Sequence, residues 1–408
     1  MKSEQLTRKA ESYLQTLCVK LPTRRTGTQG NRDATRFFKN ALNGFGFKAE
    51  SQLFDCIAMQ QVDIMLASGD QEFEAFISPH SLGCDLTAEL ISLTSLLELE
   101  KAEVEGKILM LSGEIAREQL MPKGFVFYNP EDHQKIYRLL EEKQPAAVIT
   151  ATTKNPDAVG AIYPFPLIED GDFDIPVAFM TAEEGIKLAK FAGQKVSLKM
   201  ESVRIPSTGE NIVARKGKSM DKKVVLCAHI DTKENTPGAL DNASGIAILM
   251  LLAEQLQNYE GQLGVEIVAL NGEEYYNTPG QNEYLKQSAG TYESILLAIN
   301  LDDIGYYKDR TAFSLYEVPE RTANLVRKTY DGRDGFFEGP AWYQSDHGIF
   351  IANGIPAMAI TEESFAELLA EITHSEKDSP EIVDTGKLAD NAIALHDLII
   401  KINESDLL

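Results

Sequence analysis

The chain has 408 residues and a formal net charge of −23, from 39 Lys and Arg against 62 Asp and Glu. This length predicts about two domains, and the apolar and charged contents are those of an ordinary globular protein. The negative charge argues against nucleic acid and anionic membranes as partners, because both are bound by clustered Lys and Arg.

The four cysteines, Cys18, Cys56, Cys84 and Cys227, are far apart and show no Cys-x-x-Cys spacing. This predicts reduced, mostly buried thiols rather than a disulfide framework. The N-terminus turns polar directly after Met1 and lacks the apolar core of a signal peptide, and no run approaches the roughly 20 apolar residues that cross a bilayer. We therefore expect a cytoplasmic protein, or a secreted one whose signal peptide has been removed.

In chain order, amphipathic patterns first predict two helices, at 4–18 and 32–45. A region of short strands and loops follows, with strands at 107–111, 146–150, 175–180 and 196–200 and helices at 132–143 and 181–191. The second of these helices begins with a capping box, Thr181-Ala-Glu-Glu184. A Pro- and Gly-containing segment at 205–209 is typical of a linker.

After residue 211, continuous apolar strands alternate with helices. The strands are predicted at 224–228, 265–270, 295–301 and 356–361, and the helices at 244–256 and 387–402. Apolar strands of this kind are buried on both faces. The pattern therefore predicts an α/β fold, with a mixed, mainly parallel sheet and helices on both of its faces.

Three of these strands end in residues that bind metals. The first is followed by His229 and Asp231, the second by Glu273 and Glu274, and the third by Asp302. Each pair alone is more often structural or exposed, but ligands of open α/β sheets bind where the carboxyl ends of the strands meet. Imidazole and carboxylate groups are zinc ligands, and a buried cluster of like charges without a cation would be destabilising. The pattern therefore predicts a metal site.

These residues belong to a series of motifs that resembles the zinc exopeptidases of peptidase family M28, which include bacterial aminopeptidases, glutamate carboxypeptidase II and glutaminyl cyclases. The motifs follow the family's order across residues 211–408, and the region 25–31 is similar to its N-terminal part. The motifs are His229-Ile-Asp231, Gly238-Ala-Leu-Asp241-Asn-Ala-Ser-Gly245, Asn271-Gly-Glu273-Glu274, Gly280-x-x-x-Tyr284, Asn300-Leu-Asp302-x-Ile-Gly305, Ser345-Asp-His-Gly-Ile-Phe350, Gly354-Ile-Pro356 and Thr373-His374-Ser-x-x-Asp378.

The resemblance implies a zinc exopeptidase fold of the phosphorylase/hydrolase-like type and a site for two Zn²⁺ ions. Carried over by position, it assigns His229 and Asp302 to one zinc and Glu274 and His374 to the other, with Asp241 bridging both. Cobalt or manganese would also suit such a nitrogen and oxygen site.

The resemblance also implies two catalytic residues that do not bind the metals. Glu273 would be the general base, and Asp231 would hold the free imidazole nitrogen of His229. Tyr343 and Trp342 are both candidates for binding the oxyanion, and the sequence does not decide between them.

The other polar residues of interest are predicted to be structural. Asp346 and His347 lie in a family motif and are expected to make structural hydrogen bonds. We expect His80, His133 and His396 to be ordinary surface or helix residues.

The region 55–203 resembles a protease-associated domain through the stretches at 104–109, 146–149 and 175–181. It is predicted to be a smaller, β-rich α/β domain inserted into a catalytic domain made of 1–54 and 204–408. As a hypothesis, the insert restricts substrates to peptides.

The sequence favours a metallo-exopeptidase that acts on peptides, most of all an aminopeptidase. A carboxypeptidase or dipeptidase would use the same metals. A glutaminyl cyclase would have one zinc where the hydrolase has two, and a receptor-like protein would have lost catalysis. The sequence leaves the residue preference undecided and homo-oligomerisation open.

Overall fold

The computed structural model describes residues 3–21, 23–125, 128–154 and 159–408. The chain divides into two compact units. The larger unit is Met1–Cys56, Thr208–Leu368 and Ile372–Leu408, and the smaller unit is Ile57–Ser207 with Leu369–Glu371. The predicted domain limits at 54/55 and 203/204, and the likeness to a protease-associated domain, stay predictions.

The regular elements of the described residues follow in chain order. The strands are β1 (Lys48–Ser68), β2 (Gln71–Phe73), β3 (Phe76–Ile77), β4 (Cys84–Leu93), β5 (Ile108–Leu111), β6 (Ala147–Thr152), β7 (Val177–Thr181), β8 (Lys195–Lys216), β9 (Lys223–His229), β10 (Gly264–Leu270), β11 (Ile295–Leu301), β12 (Thr311–Tyr316), β13 (Phe336–Glu338) and β14 (Ala357–Glu362). The α-helices are α1 (Ser3–Leu14), α2 (Gln29–Gly44), α3 (Leu96–Lys101), α4 (Glu131–Lys143), α5 (Ala182–Ala189), α6 (Gly245–Gln255), α7 (Pro279–Ser288), α8 (Glu320–Tyr330), α9 (His347–Ile351), α10 (Phe365–Glu371) and α11 (Thr385–Asn403). None of these described helices is long and apolar enough to cross a membrane.

The sheet of the larger unit has the strand order β13-β12-β14-β11-β9-β10, continued by the C-terminal part of β8. Neighbouring strands from β14 to β10 are parallel, whereas β12 with β14 and β10 with β8 are antiparallel. Side chains of β9 alternate between two cores, with Val224 and Leu226 in one and Val225 and Cys227 in the other. Helices α1, α2, α6 and α11 contribute to the first core, and α7 and α9 to the second. The predicted mixed, mainly parallel sheet with helices on both faces is confirmed.

The smaller unit repeats this layering around a sheet of order β4-β5-β6-β7-β3. Leu109 and Leu111 of β5 point into a core shared with α4, while Ile108 and Met110 point into a core shared with α5. Helix α5 begins where the capping box predicted, because the Thr181 side chain accepts a hydrogen bond from the Glu184 backbone N–H.

Three local predictions differ from the structure. The segment 205–209 is not a linker but part of β8, a strand of 22 residues. Gly209 lies within this strand and not in a turn. A glycine is needed there because a Cβ atom would lie 2.4 Å from the Phe54 ring. Strand β1 is one strand of 21 residues rather than several short ones. Helix α1 stops at Leu14 and continues as a π-helical turn, Gln15–Lys20.

The four cysteines are free, as predicted. Cys18, Cys56 and Cys227 are buried and Cys84 is partly buried. Burial raises the pKa of Cys18 and Cys84 to about 11, so both thiols are protonated and unreactive near neutral pH.

Candidate metal centre

The predicted ligands meet at the carboxyl edge of the larger unit's sheet. His229 is the last residue of β9, and Asp302 directly follows β11, the neighbouring strand. Glu274 lies on the loop after β10, on the other side of β9. Asp241 lies in the π-helical turn Ala239–Ser244 that leads into α6, and His374 follows α10.

These five residues form two groups that share Asp241. Nε2 of His229 lies 3.0 Å from Asp241 Oδ1 and 3.5 Å from Asp302 Oδ1. Nε2 of His374 lies 2.9 Å from Asp241 Oδ2 and 2.8 Å from Glu274 Oε1. Within each group the potential ligand atoms all lie within 4.8 Å of one another. The two oxygens of Asp241 therefore face different groups, which is the geometry of a bridging carboxylate.

The donor atoms themselves fit a metal ion. Glu274 Oε1 and Asp302 Oδ1 are buried, and neither has a hydrogen-bond partner among the described residues although each faces a histidine nitrogen. Buried polar atoms without partners are rare and call for an explanation. Buried nitrogen and oxygen atoms that converge in this way, with two of the oxygens left without partners, are what a shared cation would bind.

The electrostatics of the site favour added positive charge. Burial alone would lower the pKa of both histidines, but nearby carboxylates raise them well above the usual value, chiefly Asp302 and Asp241 for His229 and Glu274 and Asp241 for His374. Burial and the neighbouring carboxylates also raise the pKa of Glu273 well above its usual range, against an opposing effect of His229. The cluster thus stabilises a cation, whether a proton or a metal ion.

Asp231 supports the site in a different way from the one predicted. The acceptor nearest His229 Nδ1 is the backbone carbonyl oxygen of Asp231, at 3.2 Å, while the carboxylate oxygen Oδ1 is 3.7 Å away. The Asp231 carboxylate instead accepts hydrogen bonds from the backbone N–H groups of Gly272 (2.8 Å), Glu273 (3.3 Å) and Glu274 (3.1 Å). Because these N–H groups occupy both oxygens, Asp231 fixes the loop that carries the general-base candidate and one ligand.

Two further contacts hold the ligands. Ser345 donates to Asp302 Oδ2 at 2.5 Å and accepts from the Asn300 side chain at 2.8 Å. The carboxylate of Asp378 accepts from the backbone N–H groups of Leu240 (2.7 Å) and Asp241 (3.1 Å). Partners of this kind orient metal ligands.

The two oxyanion candidates differ in their surroundings. The Tyr343 side chain is 66% exposed. The backbone of Trp342 is fixed, since its N–H donates to the Tyr316 hydroxyl and its carbonyl oxygen lies 2.8 Å from His347 Nε2. The indole Nε1 of Trp342 is buried and has no hydrogen-bond partner within the described parts of the chain.

Asp346 and His347 make the structural hydrogen bonds that were predicted. Asp346 accepts from the Gln281 side chain at 2.8 Å, and His347 lies against Trp342 with the contact described above. Burial raises the pKa of Asp346 to about 7.

The remaining histidines belong to neither ligand group. His80 was predicted to be a surface or helix residue, and this is wrong. It lies outside the helices and is only 3% exposed, and its backbone carbonyl oxygen accepts a hydrogen bond from Arg204. His133 is a buried residue of α4 whose Nδ1 accepts from the Met121 N–H, and His396 is a partly buried residue of α11.

Comparison with known proteins shows a family match over part of the chain and relatives over most of it. Residues 211–399 match the sequence model described as "Peptidase family M28". The chain is 26% identical over 355 residues to a protein of Aspergillus oryzae named "probable leucine aminopeptidase 2", covering 81% of this chain and 67% of that protein. It is 23% identical over 369 residues to a Mycobacterium tuberculosis protein named "Probable lipoprotein aminopeptidase LpqL", covering 82% of this chain and 69% of that one.

Solved structures share the fold at low sequence identity. BSAP, a zinc aminopeptidase from Bacillus subtilis, superposes with a TM-score of 0.76 at 19% identity, covering 97% of this chain and 95% of that one. An aminopeptidase from Aneurinibacillus sp. strain AM-1 superposes with a TM-score of 0.73 at 20% identity, covering 98% and 96%. Residues 211–399 thus match peptidase family M28, and the chain shares its fold with solved aminopeptidase structures.

Proposed function

We propose that this protein is a metallo-aminopeptidase that removes N-terminal residues from peptides with the help of two zinc ions. The observation that carries the proposal is the pair of ligand groups joined by Asp241, together with Glu273, which interacts electrostatically with His229 and Asp302. The relatives described above are named aminopeptidases, which supports the same reaction.

Each ligand group would hold one zinc ion. His229 and Asp302 would bind the first, Glu274 and His374 the second, and Asp241 both. When bound, a pair of zinc ions polarises the scissile carbonyl and lowers the pKa of a water molecule, so that this water can attack at neutral pH.

Glu273 would move the protons. Its carboxylate would take a proton from the attacking water and pass it to the nitrogen of the leaving amine. Burial of the Glu273 side chain favours the protonated form, which helps this carboxyl group to hold the proton between the two steps. The hydrogen bond from the Glu273 N–H to Asp231 keeps the base in position during the transfer.

Trp342 is the better of the two candidates for binding the oxyanion. Its indole N–H is buried and unpaired among the described residues, and its backbone is held in place. A donor that is already fixed stabilises developing charge without reorganisation.

Glu273→Gln tests the proton-transfer role. We expect turnover to fall by about 10²- to 10⁴-fold, with zinc content unchanged, because Glu273 belongs to neither ligand group. The matched control is Glu320→Gln, the same change at an exposed position of α8. Turnover close to that of the wild type in Glu273→Gln would remove this residue from the mechanism.

The reaction itself is tested by mass spectrometry of defined peptides incubated with zinc-loaded protein, together with measurement of zinc per chain. Stepwise loss from the N-terminus with two zinc ions per chain is the expected result. Trimming from the C-terminus would replace the proposal with a carboxypeptidase. Loss of ammonia from N-terminal Gln alone, with one zinc per chain, would replace it with a cyclase, and intact peptides would contradict catalysis altogether.

A further inference from the structure

Three polar side chains near the N-terminus are buried beside the metal centre. Arg24 is 1% exposed, Thr26 1% and Asn31 0%. We call these three residues the N-terminal brace. They lie in the larger unit but almost two hundred residues before the region matched by the family model.

Arg24 holds the loop that joins two of the metal ligands. The loop 230–238 runs between His229 and Asp241. The Arg24 guanidinium donates to the Ile230 carbonyl oxygen at its start (3.1 Å) and to those of Pro237 (3.0 Å) and Gly238 (2.8 Å) at its end. One guanidinium therefore ties together both ends of this loop.

The same guanidinium anchors the loop to the N-terminal helices. Arg24 Nη1 also donates to the Leu17 carbonyl oxygen at 2.7 Å. The contact with the loop is tight, because a Cβ atom added to Gly238 would lie 2.8 Å from Arg24 Nη2. The loop therefore has little room to shift while Arg24 is in place.

Thr26 and Asn31 hold the loop on the other side of the site. The Thr26 hydroxyl donates to Asp231 Oδ2 at 3.0 Å, the carboxylate that binds the N–H groups of 272–274. The side-chain amides of Asn31 and Asn271 pair reciprocally, with both hydrogen bonds at 2.9 Å. Asn31 also donates to the Arg24 carbonyl oxygen at 2.8 Å, which links the two halves of the brace.

Burying a guanidinium is costly unless its donors are used, and an apolar side chain would fill a core at lower cost. Here each of the four hydrogen bonds goes to a backbone carbonyl, three of them on the ligand loop. The buried guanidinium therefore fixes the backbone between two metal ligands, and it does not neutralise a carboxylate through these bonds.

We infer that the N-terminal brace positions the metal ligands. Arg24 sets the spacing of His229 and Asp241, and Thr26 and Asn31 hold the Glu273–Glu274 loop. These are positioning residues, since none belongs to a ligand group. The inference rests on the proposed metal centre but not on the peptide reaction.

The first test is Arg24→Lys, which keeps the positive charge and removes the planar fork of donors. We expect the dissociation constant for zinc to rise about 10- to 100-fold, the usual effect of losing a residue that orients ligands. The matched control is Arg36→Lys, the same change in an exposed ion pair with Asp33 on α2, which should leave zinc affinity unchanged. Zinc affinity is measured by chelator competition without peptide, so it can be interpreted even if the aminopeptidase proposal fails.

The second test is Thr26→Val, a nearly isosteric change that removes one hydroxyl. Because this change is milder, the inference can still be tested if the Arg24→Lys variant fails to fold. We expect a smaller rise of the zinc dissociation constant and a fall in kcat, because the loop carrying Glu273 loses one of its supports. The control is Thr329→Val, a buried threonine of α8 whose hydroxyl bonds only within the helix and to Lys401 among its described contacts. If the brace variants lower the free energy of unfolding while zinc affinity and kcat equal those of their controls, the role is structural only and the inference fails.

Discussion

The larger unit buries carboxylates in two places that are neutralised in different ways. Glu266 is fully buried, but Lys223 lies 3.0 Å and Arg215 2.6 Å from its carboxylate oxygens, and the Tyr284 hydroxyl donates to it. Burial raises the pKa of Glu266, yet the two cations outweigh burial and lower it overall. At the metal centre, burial raises the pKa of Glu274 and the opposing effect of His374 is too weak to reverse this.

The difference separates a structural ion cluster from a functional one. The Glu266 cluster contains the cations that it needs, so nothing from solution is required there. The metal centre places several carboxylates around two histidines, and two of its buried ligand oxygens, Glu274 Oε1 and Asp302 Oδ1, lack hydrogen bonds among the described residues. A buried acidic cluster that the protein leaves short of positive charge is therefore the one to examine for a metal.

Removal of the metal should have the largest effect. For free zinc at 1,000 times the dissociation constant, each site contributes about 4 kcal/mol to the free energy of unfolding. We expect a chelator to remove this stabilisation from the wild type and to change Asp241→Asn far less, because that variant lacks the shared ligand. Urea unfolding with and without chelator measures both. Equal chelator effects in the two proteins would contradict the assignment of Asp241.

Glu266→Gln should have the next largest effect. The change leaves the buried Lys223 without its charged partner, and breaking a buried pair in this way costs about 3–5 kcal/mol. The loss should be the same with and without chelator, because the Glu266 cluster needs no metal. If Glu266→Gln lowered the free energy of unfolding only in the presence of zinc, the Glu266 cluster would also depend on metal, which contradicts the comparison.

Glu362 sharpens the comparison as an intermediate case. This buried carboxylate accepts from the Gly305 N–H at 2.6 Å and has one lysine, Lys387, at 3.5 Å. Burial raises its pKa from 4.5 to about 7, against the opposing effects of that N–H and lysine. Between these values the native state keeps a proton that the unfolded state has lost, so stability falls as pH rises from 4.5 to 7.

This pH-dependent loss should amount to at most about 3 kcal/mol. Below pH 4.5 the side chain is protonated in both states and the contribution is fully present. Urea unfolding of wild type and Glu362→Gln across this range, with chelator present throughout, isolates the effect. The wild type should lose stability relative to the variant as pH rises, and parallel curves would show that Glu362 titrates normally.

The sequence was most informative where strands are fully buried. Every residue of β9 and β10 is buried, so their apolar runs were easy to recognise, and parallel strands bring the residues that follow them to one edge. His229, Glu274 and Asp302 could therefore be placed together before any coordinates. The assignment of each to a particular metal came from the family resemblance.

The sequence was least informative where polar side chains bind backbone groups. Arg24 reads as an ordinary charged residue of a loop, because three of its four acceptors lie more than two hundred residues away in the chain. The Asp231 carboxylate was assigned to the nearby imidazole, whereas the fold brings three N–H groups closer. The segment 205–209 of strand β8 was predicted to be a linker because it contains Pro206 and Gly209. The packing of Phe54 on that glycine is a tertiary contact and could not be read from the sequence.

The separation between the brace and its loop affects how the protein is made. Arg24 leaves the ribosome 206 residues before Ile230. At about 5–20 residues per second, the arginine is present for roughly 10–40 s before its acceptors on the loop 230–238 are synthesised. Residues 57–207, the bulk of the smaller unit, emerge during that interval and can fold first. The ligand scaffold is then completed only after the last ligand, His374, has been added, so assembly of the metal centre is a late event in synthesis.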